Sequence, residues 1–160
     1  MTDPDAVPAL AGRAPFGAGI AGEEVEAGMA ATATMYAGTF RGTPDQVRRV
    51  RAAVAGYLDG CPAADDAVLV VSEIASNSVL HSRSGGEFFT IRCQLYPDYA
   101  WVECEDRGGP WQCRRPDGRP HGLDVVEALA GPDGWGTEET SDGNRVVWVR
   151  LDLACSVSGL

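Results

Sequence analysis

The chain has 160 residues, 44% of them hydrophobic, with 13 Lys and Arg against 23 Asp and Glu for a formal charge of -10. That length supports one domain with one core, and so acidic a balance argues against a broad phosphate-binding face for DNA or RNA. The longest uncharged apolar run, residues 67–72, is far shorter than the ~20 residues that cross a bilayer, and Asp3 and Asp5 stand where a signal peptide is basic, so a cytoplasmic protein is expected.

Residues 1–32 are rich in Ala, Gly and Pro, with Leu10, Phe16 and Ile20 the main large apolar side chains. They bury too little to offset their ordering entropy and are expected to form a mobile tail ahead of a single domain over residues 33–155. Residues 32–40 suggest a strand. Thr43-Pro44-Asp45-Gln46 then has the form of a capping box with Pro at the first helical position, and Val47, Val50, Val54, Tyr57 and Leu58 recur at helical spacing until Gly60 and Pro62.

Pro62 can open a second helix, with Asp65 and Asp66 in its first turn and an end near Leu80 or His81. Residues 87–95 alternate, with Phe89, Ile91, Cys93 and Leu95 on one face; residues 99–105 read as a partner strand with Val102 and Cys104 inward. Asp106-Arg107-Gly108-Gly109-Pro110 breaks it, residues 109–120 form a loop, and residues 122–130 form a short helix stopped by Gly131-Pro132. A hairpin of residues 135–139 and 145–153, turned at Asp142-Gly143, closes the chain. The order predicts an α+β two-layer sandwich with helices on one face of a mixed or antiparallel sheet.

Five cysteines (Cys61, Cys93, Cys104, Cys113 and Cys155) are odd in number, widely spaced and without a CxxC, so reduced thiols, several in the core, are expected. The only histidines are His81 and His121, and neither shares metal-ligand spacing with a cysteine.

Three features carry chemistry. In the second helix Val68, Leu69, Val70, Val71, Ile74, Ala75, Val79 and Leu80 leave most of the girth apolar, yet Glu73, Asn77 and His81 form a polar row in ~6 Å steps. That row is either the wet edge of the helix, flanked by Ser72, Ser76 and Ser78, or the wall of a pocket. In a pocket the carboxylate would take a proton and the amide oxygen would complete the shell of a phosphate-bound Mg2+. Asp106 before Gly108 and Gly109 is either a Gly-rich turn or an acceptor for an exocyclic amine beside a flat ring. His121-Gly122-Leu123 enters a helix after Arg114, Arg115 and Arg119, a combination suited to phosphate; no P-loop or Rossmann fingerprint is present.

Taken in order, Glu73-x-x-x-Asn77-x-x-x-His81, Asp106-x-Gly108-Gly109 and His121-Gly122-Leu123-x-Val125-Val126 resemble the N box and the two glycine boxes of the GHKL ATPase superfamily. Residues 69–81 look most like the stand-alone branch of bacterial anti-sigma-factor serine kinases and related ATP-binding proteins. The resemblance implies a Bergerat (histidine-kinase-like ATPase) fold, with ATP and Mg2+ as cofactors. Asn77 would ligate Mg2+, Glu73 would be the general base, and Asp106 would hold the adenine amine. His81, Gly108, Gly109, Arg119, His121, Gly122 and Leu123 would complete the nucleotide site, residues 109–120 acting as its lid. The implied partners are a sigma factor and an anti-anti-sigma protein of STAS fold whose serine is phosphorylated, with a homodimer possible through the first strand. A nucleotide-dependent switch without phosphotransfer is the alternative, and a ligand-free adaptor in which Glu73, Asn77 and Asp106 satisfy one another is a third. The sequence departs from close relatives in having a single Gly122 after Pro120 and His121, and in Asp124. Facing the phosphates, Asp124 would weaken ATP binding; facing solvent, it would favour the helix dipole.

Overall fold

A computed structural model of the chain describes residues 35–109 and 122–153. Its elements run β1 (Tyr36–Arg41), α1 (Gln46–Tyr57), α2 (Ala64–His81), β2 (Phe88–Leu95), β3 (Tyr99–Asp106), α3 (Gly122–Ala130), β4 (Trp135–Glu139) and β5 (Arg145–Asp152). Every strand pair is antiparallel and the sheet order is β1-β2-β3-β5-β4, so β1 and β4 are its edges among the described strands. The alternation in the strands determines which side is covered. Phe89, Ile91 and Cys93 of β2, Ala100, Val102 and Cys104 of β3, and Val147, Val149 and Leu151 of β5 are all buried.

The three helices supply the other half of that core. Val50 and Val54 of α1 and Val70, Val71, Ile74 and Ala75 of α2 belong to the same buried cluster, joined by Val126 of α3. The central helix, α2, touches α1, α3 and β3, while α1 lies by β1 and α3 by β5 and β4. An α+β architecture follows, with the open choice of sheet type resolved to antiparallel. On the opposite sheet face Trp101 stacks on Trp148 at 5.0 Å. Arg92 on that face bridges Glu103 and Glu105 at 3.6 and 2.8 Å.

Two local expectations are corrected. Thr43 is not the cap of α1: the helix begins at Gln46 behind Asp45, with no side-chain capping bond, and Thr43 and Pro44 instead form a turn whose carbonyls receive the Gln46 and Val47 N–H groups. The turn is set by the end of β1, where the Thr43 N–H donates to the Arg41 carbonyl at 2.8 Å. Second, two of the apolar residues of α2 face solvent rather than the core, Leu69 being 44% and Leu80 66% exposed. Among the described residues no helix is long and apolar enough to cross a membrane.

Cys61, Cys93 and Cys104 are free thiols, while Cys113 and Cys155 lie outside the described residues. Burial pushes the thiols of Cys93 and Cys104 up from 9.0 to about 12. Iodoacetamide at about pH 8 is therefore expected to spare both in the folded protein and to modify both in urea, mapped by mass spectrometry. Because the unfolded chain releases these protons near pH 9 and the folded chain retains them to about 12, the stabilisation is complete below pH 9 and falls above it. The loss is about 1.4 kcal/mol per pH unit for each thiol, so the urea midpoint at about pH 10.5 should lie below that at about pH 8.

Candidate functional site

Asp106 is the last residue of β3 and is only 3% exposed. The chain leaves it through Gly108 and Gly109, both at positive φ (69° and 109°). A carboxylate buried this deeply needs partners, and it has three. Its Oδ1 accepts the Gly108 N–H at 2.8 Å, the Ser78 hydroxyl donates to Oδ2 at 2.9 Å, and the Arg145 guanidinium reaches Oδ2 at 3.2 Å and Oδ1 at 3.4 Å. Ser78 belongs to α2, so this bond fastens the Asp106 corner to the helix that carries Glu73 and Asn77. A second tie follows at the helix end, where the Arg83 N–H donates to the Gly108 carbonyl at 2.8 Å.

Along α2 the predicted row runs from half-buried to open: Glu73 and Asn77 are half-buried, and His81 is exposed at the last helical position. Glu73 meets the start of α3, because a Cβ built on Gly122 would lie 2.5 Å from Glu73 Oε2. An acidic group at that end is favoured by the positive pole of the helix. Leu123 is buried at 6% exposure, and Asp124 is exposed within the first turn of α3. Arg119 and His121, with the remainder of the expected lid, lie outside the described residues.

The protein's own packing already requires glycine at these corners. A Cβ on Gly108 would lie 2.6 Å from the Gly143 carbonyl oxygen, and one on Gly109 would lie 3.2 Å from Arg83 Cγ. Beside them opens a cleft of about 560 Å³, lined by Arg83, Gly108, Gly109, Thr137, Glu138, Glu139, Gly143 and Arg145. That volume is within the range small-molecule sites occupy. Strand register sets its charge pattern: Asp106 of β3, Arg145 of β5 and Glu139 of β4 stand opposite one another across three strands.

The structure thus joins the Asp106 corner to α2 and brings Glu73 against Gly122. It also brings in residues that the sequence reading did not assign. Ser78, which the wet-edge alternative sets beside the polar row, is 1% exposed; its place four residues after Ile74, on the buried stripe, is the available signal. Arg145 and Arg83 carried no such signal, because strand register and loop path bring them in. Among the described residues no group of three or more His, Cys, Asp or Glu gathers to hold a metal. Compared with known proteins, the chain matches no family model and no curated protein.

Proposed function

We propose that the chain is a regulatory nucleotide-binding module of the GHKL type, with a Bergerat fold, that holds ATP with Mg2+ and phosphorylates a serine of a STAS-fold anti-anti-sigma partner. The same surface would otherwise hold a sigma factor. The observation that carries this reading is the Ser78–Asp106 hydrogen bond at 2.9 Å, which ties the helix bearing Glu73 and Asn77 to the Asp106–Gly109 corner; the cleft of about 560 Å³ at that corner is lined by Gly108 and Gly109 but by none of Glu73, Asn77, His81, Gly122 and Leu123.

In this reading Asp106 and the two glycines form the base end of the site. Glu73 accepts the hydroxyl proton as the serine oxygen bonds to phosphorus and the bond to the leaving diphosphate oxygen breaks. His81, Gly122, Leu123, His121 and the cation Arg119 complete the phosphate end. Asn77 fits Mg2+ as a neutral, hard oxygen donor on the same helix as Glu73, since Mg2+ takes few protein ligands and keeps phosphate oxygens and waters. When bound, the ion offsets phosphate charge. Most of the acceleration then comes from positioning.

Calorimetry with Mg-ATP and a phosphotransfer assay on a STAS protein test the proposal. Wild type should bind below millimolar concentration and transfer phosphate, while Glu73→Gln should bind within a few-fold of wild type and lose about 100-fold or more in transfer. Absence of binding at millimolar nucleotide overturns the reading. Binding with no transfer by wild type assigns the partner-binding switch instead.

A further inference from the structure

We infer that the end of the sheet bearing Arg41, Arg83 and Arg107 is a docking surface for an acidic segment of a partner protein. In a chain of formal charge -10 these three cations are exposed and, among the described residues, stand in no ion pair, whereas Arg92, Arg145 and Arg150 all do. The inference uses none of the side chains assigned to the nucleotide site and does not depend on that reading. One buried serine gathers the three segments. Ser84 is 0% exposed; its hydroxyl donates to the Phe88 carbonyl at 2.8 Å and accepts the Arg107 N–H at 2.9 Å, and its carbonyl accepts the Glu87 N–H at 2.9 Å. Arg83 precedes it, and the Arg83 N–H donates to the Gly108 carbonyl at 2.8 Å. From the β1 side, the Gly86 N–H donates to the carbonyl of Gly42, the residue after Arg41, at 2.9 Å. Strand register agrees: Arg41 stands opposite Phe88, and the β2–β3 register, continued past Thr90 and Glu105, sets Phe88 opposite Arg107. The Arg41 and Arg107 backbones are therefore two strand spacings apart, about 10 Å, with Phe88 between them. The Arg41 guanidinium lies 5.5 Å from the centre of that ring.

Because these hydrogen bonds already fix the backbone, the three guanidinium groups are presented without a further ordering cost for the chain that carries them. Guanidinium forks suit carboxylates, which they meet with two parallel bonds. The nearby acids leave the patch positive. Asp45 already has the Gln46 amide at 3.0 Å and Arg49 beside it, and Glu105 takes Arg92 and the Asn144 amide, so Glu87 is the exposed carboxylate set among the arginines. The occupant is a short acidic segment rather than a nucleic acid. Farther along the same end of the sheet the β4–β5 hairpin exposes Glu138, Glu139 and Asp142. A continuous run of phosphates would be carried over those carboxylates and repelled, whereas a short peptide ends before them.

Fluorescence anisotropy of a labelled octaglutamate peptide with the full chain tests this. Binding at about 20 mM salt with a Kd of about 100 μM or below, weakened about 10-fold or more at about 200 mM salt, is the expected result. Arg41→Gln, Arg83→Gln and Arg107→Gln should each weaken it by about 3- to 10-fold. Arg150→Gln, which alters an exposed cation already paired with Asp152, should change it by less than about 2-fold. No binding at millimolar peptide, or an equal loss with Arg150→Gln, overturns the inference. An oligothymidylate of equal charge that binds as tightly as the peptide, or more tightly, overturns it too and assigns a general attraction for polyanions. The four substituted side chains are exposed, so the variants are expected to fold, and the wild-type comparison of peptide with oligonucleotide stands alone if one does not.

Discussion

Asp106→Ala is expected to destabilise the protein by about 3–5 kcal/mol, read as a lowered urea midpoint at unchanged slope. Three partners lose their acceptor at once. The Ser78 hydroxyl can turn to the Ile74 carbonyl, already 3.1 Å away, so its loss is small. The Gly108 N–H has no such alternative among the described residues, and the Arg145 side chain, 11% exposed, keeps its charge with one carboxylate fewer beside it. Removing one member of a buried pair is costly mainly because the other remains. Asp106→Asn keeps the size and one acceptor oxygen for the Gly108 N–H, but loses the charge and turns the second oxygen into a donor that the Ser78 hydroxyl must accept from and that Arg145 cannot use, so it should lie between wild type and Ala. Equal midpoints for Asn and Ala would show that the charge and the second acceptor, rather than the Gly108 bond, account for the effect.

The same residue marks the boundary between what could be read in the sequence and what could not. Local pattern was sufficient for α3 and β4, whose observed bounds, Gly122–Ala130 and Trp135–Glu139, coincide with the expected ones, because Gly131 and the Asp142-Gly143 turn punctuate the chain there. Period-2 alternation likewise identified Phe89, Ile91, Cys93, Val102 and Cys104 as core before any pairing was known. Short-range geometry at the entry to α1 was misjudged, since a Thr-Pro-Asp-Gln string satisfies the capping pattern whether or not the chain arrives from a strand that claims the turn. The partner of Asp106 was hidden for a different reason. Arg145 is 39 positions away and meets it only through the β3–β5 register, and a shift of one residue would turn Arg145 to the other face of the sheet. Charged residues near a glycine turn can be listed from sequence; which of them closes on the carboxylate depends on that register.

Comparison of Gly108→Ala with Gly143→Ala separates backbone strain from steric conflict at the cleft. The two positions have similar left-handed φ, 69° and 77°, so each alanine carries a comparable conformational cost of about 1–2 kcal/mol. Their surroundings differ. Nothing lies within 4 Å of a Cβ on Gly143, whereas a Cβ on Gly108 would come to 2.6 Å from the Gly143 carbonyl oxygen, a backbone atom of the β4–β5 turn. That turn is closed by the Thr140 N–H to the Asn144 carbonyl at 2.7 Å and the Gly143 N–H to the Thr140 carbonyl at 2.9 Å. Its carbonyl therefore cannot retreat without disturbing the hairpin that forms one wall of the cleft. Gly108→Ala should consequently cost about 1–3 kcal/mol more than Gly143→Ala in urea unfolding. Its excess should also be accompanied by faster hydrogen exchange at Gly143 and Asn144, which Gly143→Ala would produce only weakly. Equal costs for the two substitutions would mean that the Gly108 corner and the hairpin are not in the contact described, and that the cleft between them is wider than about 560 Å³.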